Sequence, residues 1–281
     1  MHTLPLRAVV LPPTGRGGNH TKGGSVPKAR RLLFQARASK VCAIGASMTT
    51  DHDLIYGYHP VAEALKNPRR RLVKLKASKN AADRLAAEIG AAGVKFEIVH
   101  PKELDRNLGA DAVHQGLLLE ALPLSQPRLD QIDKSGILVL LDQVTDPHNV
   151  GAILRTCAAF RVTALVTTAR HSPEASGVLF KAASGAYEHV PYVKVTNLAR
   201  AMAELKEHGF RLAGLDSDAP ASLEDIDRSP PLAIVMGAEG KGLRQLTRDT
   251  CDHLVRLDLF GPIRSLNVSN ACAVALYAIT R

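Results

Sequence analysis

Residues 137–155 read Ile-Leu-Val-Leu-Leu-Asp-Gln-Val-Thr-Asp-Pro-His-Asn-Val-Gly-Ala-Ile-Leu-Arg. A short apolar run is followed by a polar turn with Pro147, and then by apolar residues at helical spacing. The pattern predicts a strand ending at Asp142, a loop, and a helix over Val150–Phe160 with Asn149 placed to cap it. The alternation continues to the C-terminus. Further strand candidates are Ala164–Thr167, Val190–Val195, Arg211–Leu215, Leu232–Met236 and His253–Leu257. Helices fit Ser176–Ala183, Leu198–Glu207, Gly242–Thr247 and Asn267–Ile279. Short apolar strands between helices predict an α/β domain with a mostly parallel sheet covered on both faces. Ligands of such sheets bind beyond the C-terminal strand ends, so the loops there are where chemistry is expected.

Upstream, a smaller α/β unit of about 75 residues runs from Asp51 to Leu124. Its pattern gives a helix at Tyr58–Leu65, a strand at Arg71–Ala77 and a helix at Asn80–Ala92 that Gly93 stops. A strand at Val94–Val99, a short helix at Lys102–Leu108 and a strand at Gly116–Ala121 follow. Leu124–Lys134, with Pro127 inside it, Pro123 just before it and mixed charge, reads as a linker. The resulting plan is an extension over residues 1–50, a small domain over 51–125, a linker over 126–135 and a large domain over 136–281.

Charge separates these parts. The formal net charge is +9, yet residues 1–50 hold eight Lys/Arg and no Asp or Glu, while the rest holds 28 Lys/Arg against 27 Asp/Glu. The excess therefore describes the extension, and any nucleic-acid contact of the folded part must come from local patches. The Gly/Pro/Arg-rich extension has the composition of a disordered segment. It reads as a basic arm touching RNA, as a targeting peptide, or as sequence upstream of the true start. The last reading is favoured, with translation beginning at Met48. No apolar stretch approaches the roughly 20 residues of a membrane span. The four cysteines lack paired spacing, which fits reduced thiols in a cytoplasmic protein. The eleven histidines form no metal-binding pattern, so no metal is expected.

Three segments carry candidate chemistry. In Asp142–Arg155, Asn149 and Arg155 either cap and solvate a helix or project toward RNA, where arginine's fork suits phosphate oxygens. Met236–Leu243 has Gly237, Gly240 and Gly242 around Glu239. It matches neither G-x-G-x-x-G nor G-x-x-x-x-G-K-[ST], which removes the usual support for hydride transfer and nucleotide hydrolysis. The glycines permit a tight turn, and a carboxylate such as Glu239 can accept bonds from free N–H groups at a helix start. The third segment passes from the turn Phe260-Gly261-Pro262 through Ser265-Leu266-Asn267 into a helix rich in small residues. Ser265 and Asn267 taken singly read as caps. The serine-hydrolase elbow G-x-S-x-G is missing. In the small domain Lys66, Arg69, Arg70, Arg71, Lys74, Lys76 and Lys79 follow one another with no acid between Ala64 and Ala82, a candidate phosphate-binding surface.

Taken together and in order, the three segments resemble the signature motifs of the SpoU/TrmH branch of the SPOUT methyltransferases, over Ile137–Arg281. Ile55-Tyr56-Gly57-Tyr58-His59-Pro60-Val61 and His114-Gln115-Gly116 are similar to the ends of the ribosomal-protein-like substrate-binding domain found in that branch. The resemblance implies a homodimeric enzyme with a trefoil-knotted catalytic domain. It implies methyl transfer from S-adenosylmethionine to a ribose 2′-hydroxyl of RNA, with a guanosine of large-subunit rRNA as the expected target. It places Asn149, Arg155, Glu239, Ser265 and Asn267 at the catalytic centre, and Gly237, Leu257, Gly261 and Leu266 around the cofactor. Arg69, Arg70, Arg71, Lys74 and Lys76 are the expected RNA contacts. Arginine, with a pKa above about 12, is a costly general base, so Arg155 is read as a phosphate and alkoxide partner. One departure is Leu257-Asp258-Leu259, where the family shows Ile-Pro-Met, and an altered loop stiffness is expected there. Rival readings are a tRNA ribose methyltransferase, a non-catalytic RNA-binding ribosome-assembly factor and, more distantly, a nucleotide-dependent dehydrogenase.

Overall fold

The computed structural model describes residues 52–109 and 111–281, so the extension and the proposed start at Met48 lie outside the described residues. The first elements are Asp53–Tyr56 (β1), Tyr58–Lys66 (α1), Leu72–Ala77 (β2), Lys79–Arg84 (α2), Ala86–Ala92 (α3), Phe96–Ile98 (β3), Pro101–Leu108 (α4) and Leu117–Ala121 (β4). They build a four-stranded sheet of order β1-β4-β2-β3, in which only β2 and β3 run parallel. β1 was not anticipated, since four residues leave too short a period to read. The helix expected over Asn80–Ala92 is two helices, broken where Leu85 leaves helical geometry at φ −110° and ψ 18°. The strand expected at Val94–Val99 shortens to β3.

The larger sheet follows. Its elements are Ile137–Asp142 (β5), Pro147–Ala159 (α5), Ala164–Thr168 (β6), Gly177–Ala183 (α6), Tyr192–Val195 (β7), Leu198–Glu207 (α7), Arg211–Leu215 (β8), Ala221–Ser222 (β9), Leu232–Gly237 (β10), Gln245–Thr250 (α8), His253–Arg256 (β11) and Val268–Ile279 (α9). The strand order is β7-β6-β5-β10-β8-β11-β9, and every pairing is parallel. Successive residues of β5 alternate between two cores: Val139 and Leu141 pack on one face, Leu138 and Leu140 on the other. This is the sheet covered on both faces that the apolar strands predict. The chain runs outward from β5 through β6 to β7 and then resumes at β8 beyond β10, so the direction of winding reverses between β5 and β10. Crevices at such reversals open at the C-terminal strand ends, here Asp142 and Gly237, which are paired in register.

α5 corrects the expected start. It begins at Pro147, a residue suited to the first helical position, and Asp146 is its cap, accepting from His148 N at 3.0 Å. Asn149 lies inside the helix and is freed from capping. α8 starts three residues later than expected because residues 238–242 close on themselves first, through Gly242 N donating to Ala238 O at 2.8 Å.

The two sheets share one apolar core. Ile55, Leu75 and Leu117 of the small sheet belong to the same buried cluster as Leu141, Val150 and Leu179 of the large one. The supposed linker is docked: Leu124, Leu129 and Ile132 are buried, and Tyr192 N donates to Gln126 Oε1 at 2.9 Å. Between the domains Arg70 is wholly buried. It donates through Nη2 and Nε to Glu188 Oε1 at 2.5 and 3.1 Å, and through Nη1 to Asp53 Oδ2 at 2.5 Å. Burial alone would lower its pKa, but its bonds to Glu188 and Asp53 hold it above the ordinary value. Arg70 is a structural cation and not an RNA contact.

Candidate active site

The loop after β10 is shaped by close backbone approach. A Cβ on Gly237 would lie 2.2 Å from the carbonyl carbon of Gly242, and Gly240 and Gly242 take φ of 73° and 64°. Only glycine satisfies such positions without displacement. The far end of the loop is tied down by Asp142, whose buried carboxylate accepts from Arg244 N at 3.0 Å and from Arg244 Nε at 2.7 Å.

This folding carries Glu239 to the N-terminus of α9 and to the start of α5. Glu239 Oε1 accepts from Asn267 Nδ2 at 2.5 Å, from Asn149 Nδ2 at 3.3 Å and from Val268 N at 3.3 Å. Asn267 Nδ2 also donates to Asn149 Oδ1 at 3.0 Å. Asn267 caps α9 at the same time, its Oδ1 accepting from Ser269 N at 2.9 Å and from Ser269 Oγ at 2.6 Å. The cap therefore orients the amide: its oxygen serves the helix, and its nitrogen faces Asn149 and Glu239. Three residues from three distant segments meet in one hydrogen-bonded triangle, and Glu239 Oε2 takes no hydrogen bond among the described residues.

Glu239 forms part of the wall of two cavities. The first, about 370 Å³, is lined by the ends of β8 and β10 and by the segment before α9, including Leu215, Asp216, Met236, Gly237, Leu257, Ser265 and Leu266. Its size suits a small ligand and its walls are mostly apolar; Glu239 adds a carboxylate suited to a cation, whereas Asp216 is already paired with Arg248 and Arg264 lines the same wall. The second, about 390 Å³, contains Asn149, Asp146, His171 and Lys241. The Asn149–Glu239–Asn267 triangle stands between them. Among the described residues no group of His, Cys, Asp and Glu is arranged to hold a metal ion.

The remaining expected residues divide. Ser265, Leu257 and Leu266 line the first cavity, whereas Gly261 lies in the exposed turn before it and outside its wall. Arg155 is not brought to the triangle within one chain. It lies six residues beyond Asn149, about 9 Å along α5, exposed and without a hydrogen bond or ion pair among the described residues. In the departure at Leu257-Asp258-Leu259, Asp258 Oδ2 accepts from Ser222 Oγ at 2.7 Å and Asp258 Oδ1 pairs with Arg256 at 3.1 Å. Hydrogen bonds restrain the loop where a proline ring is lost. The basic run of the small domain is not a free cationic surface: besides buried Arg70, Lys74 pairs with Glu97 at 2.6 Å and Lys76 with Glu103 at 3.1 Å. Arg69 gives one bond, to Glu188 O at 3.2 Å, and Arg71 is exposed with no such partner among the described residues. Sequence reasoning missed Asp142, Arg244 and Asp216. A signal was present, because Asp142 ends an apolar strand and Asp216 directly follows one, where the sheet opens.

Comparison with known proteins fits this geometry. The SpoU rRNA Methylase family matches residues 136–277, and the RNA 2′-O ribose methyltransferase substrate binding family matches residues 54–127. The chain belongs to the SpoU rRNA methylase family. Within that family it is 37% identical over 239 residues to the 23S rRNA (guanosine-2′-O-)-methyltransferase RlmB of Yersinia pestis, covering 82% of this chain and 97% of the relative. It is 39% identical over 240 residues to RlmB of Vibrio cholerae, with the same coverage of 82% and 97%. Among solved structures, the SpoU methyltransferase AviRb of Streptomyces viridochromogenes superposes with a TM-score of 0.70 at 21% identity, over 82% of this chain and 89% of that one. That similarity describes the fold.

Proposed function

We infer that this SpoU family member is an RNA 2′-O-methyltransferase that uses S-adenosylmethionine, with a guanosine of large-subunit rRNA as substrate. The observation that carries the reading is the Asn149–Glu239–Asn267 triangle between two cavities at the switch point of the sheet. The RlmB relatives from Yersinia pestis and Vibrio cholerae carry the same reaction in their names, and AviRb was solved with AdoMet.

S-adenosylmethionine supplies a sulfonium-bound methyl group when bound. The first cavity fits it: the Gly237 cradle has no room for a side chain, the leucine walls accept its apolar parts, and the Glu239 carboxylate favours its positive charge. In the second cavity Asn149 is placed to hold a ribose. Glu239, with Oε1 saturated by three donors and Oε2 open, is placed to accept the hydrogen of the 2′-hydroxyl and turn its oxygen toward the first cavity. Such positioning supplies much of the rate of an in-line transfer. Ser265 edges the same cavity. Arg155 is offered to RNA phosphate from the surface of α5, as a fork and not as a base, and Arg69 and Arg71 are the contacts that remain open on the small domain. The working form is a homodimer in the cytoplasm, with exposed Val274 and Tyr277 of α9 as its apolar contact. Among the described residues no helix is long and apolar enough to cross a membrane.

The test is ribose-methylation mapping of rRNA and tRNA from cells lacking the gene. Loss of one ribose methyl in large-subunit rRNA is expected. An unchanged rRNA map with a lost tRNA methyl would move the substrate to tRNA, and no lost methyl would overturn the activity.

A further inference from the structure

A third cavity, about 270 Å³, opens at the C-terminal ends of β6 and β7. It adjoins the second cavity, because Gln143 and His171 line both. Its wall holds Arg170 and Arg244 and contains no carboxylate residue. Arg170 is exposed, and its side chain has no hydrogen bond or ion pair among the described residues. Its backbone is pinned, since the Thr168 hydroxyl donates to the Arg170 carbonyl and Thr167 and Ser172 share a hydroxyl hydrogen bond at 2.5 Å. Arg244 joins the wall from the other side: Asp142 holds its Nε at 2.7 Å, and its terminal nitrogens make no hydrogen bond among the described residues. His171 and Gln143 take φ of 62° and 60°, conformations that few non-glycine residues adopt.

We propose that this cavity binds a backbone phosphate of the RNA strand, on the nucleotide adjacent to the ribose held at Asn149. The proposal rests on the methyltransferase reading above and adds a substrate subsite to it. Every ribose inside an RNA strand is flanked by two phosphodiester anions, so a ribose in the second cavity places one of them next door. Arg170, which has no acidic partner among the described residues, supplies the uncompensated positive charge for that anion, and Arg244, though its charge is balanced by Asp142 behind it, adds a second guanidinium to the same wall; charge-assisted bonds of this type are the strong kind. Asp142 holds the Arg244 fork before substrate arrives, and Thr168 fixes the backbone from which the Arg170 side chain reaches the cavity, which lowers the ordering cost of binding.

The test uses the full chain and Arg170 variants, since this side chain makes no hydrogen bond or ion pair among the described residues. RNA affinity is measured against salt concentration, alongside KM, kcat and calorimetric binding of S-adenosylmethionine. For Arg170→Gln the salt slope should become shallower by about 0.7, the value for one phosphate contact on a single strand. KM for RNA should rise about tenfold, as expected for one lost charge-assisted bond, with kcat and cofactor affinity kept. Arg170→Lys should restore the slope and only part of the affinity. A wild-type slope and KM in both Arg170→Gln and Arg170→Glu would overturn the subsite, as would weaker binding with an unchanged slope. Inorganic phosphate competing with RNA in the wild type but not in Arg170→Gln would support it. Asn149→Ala run in parallel separates the two failures: if it keeps full methyl transfer, the active-site reading falls, whereas an inert Asn149→Ala beside an unaffected Arg170→Gln removes the subsite alone.

Discussion

Glu239 Oε1 receives three donors, and the amide of glutamine can present an oxygen of the same shape to all of them. Glu239→Gln should therefore fold normally while losing the charge that lines the proposed cofactor cavity. Methyl transfer is expected to fall by a factor of about 10²–10³, the usual cost of one preorganised electrostatic group, with the melting temperature kept. Asn149→Ala should behave alike, and this outcome separates function from capping. Because Asp146 caps α5, loss of Asn149 should cost little stability; a drop of about 1 kcal/mol with full activity would restore the capping reading. The sequence shows why the two were confused. Asp146 and Asn149 are equally good caps on either side of Pro147, and proline both ends helices and begins them. Gly237→Ala tests the loop: its new Cβ would meet the backbone of Gly242, so a stability loss of about 1–3 kcal/mol and weakened binding of S-adenosylmethionine are expected by urea titration and calorimetry.

At the scale of elements, the basic run from Lys66 to Lys79 teaches the limit of local charge reading. No acid interrupts it in sequence, yet Glu188 reaches Arg70 from 118 residues away, and Glu97 and Glu103 meet Lys74 and Lys76. Periodicity locates β2 and its alternation but says nothing about which distant carboxylates fold onto it. Arg70→Ala should take from buried Glu188 and Asp53 the guanidinium that bonds both, and cost about 3–5 kcal/mol in urea denaturation. RNA affinity at a temperature where the variant stays folded should be unchanged, and a lower salt slope would return Arg70 to the RNA surface. Small elements were the least legible. β1 and β9 are too short to show a period, whereas β5, α5, α7 and β10 are long enough for the apolar pattern to declare them.

Across the whole molecule, parallel sheet, helix layers and the meeting of loops at strand ends were legible, because alternating short strands and helices admit few arrangements. The triangle itself became legible only through family resemblance, since no local rule brings residues 149, 239 and 267 together. Nor could composition reveal that Leu124, Leu129 and Ile132 bury the stretch between domains. Because both sheets share one core, the described residues should unfold in a single cooperative urea transition, with fluorescence and circular dichroism coinciding. Two separated transitions would contradict the shared core. Two thiols belong to this core, and a third, Cys251, packs half-buried against the opposite face of the large sheet. Cys157 and Cys272 are buried, and burial lifts the Cys251 thiol to about 12, so at pH 8 it carries almost no thiolate. Iodoacetamide at that pH should leave these three unlabelled until urea is added, and rapid native labelling of Cys251 would show the fold to be looser.

The Arg70 clasp between the domains has a consequence for target choice. With the small sheet fastened to the large one, the gap from its open arginines to Glu239 becomes a set length, as between the jaws of a locked caliper. The enzyme would then choose its nucleotide by how far it stands from a neighbouring feature of the folded RNA, and not by the letters around it.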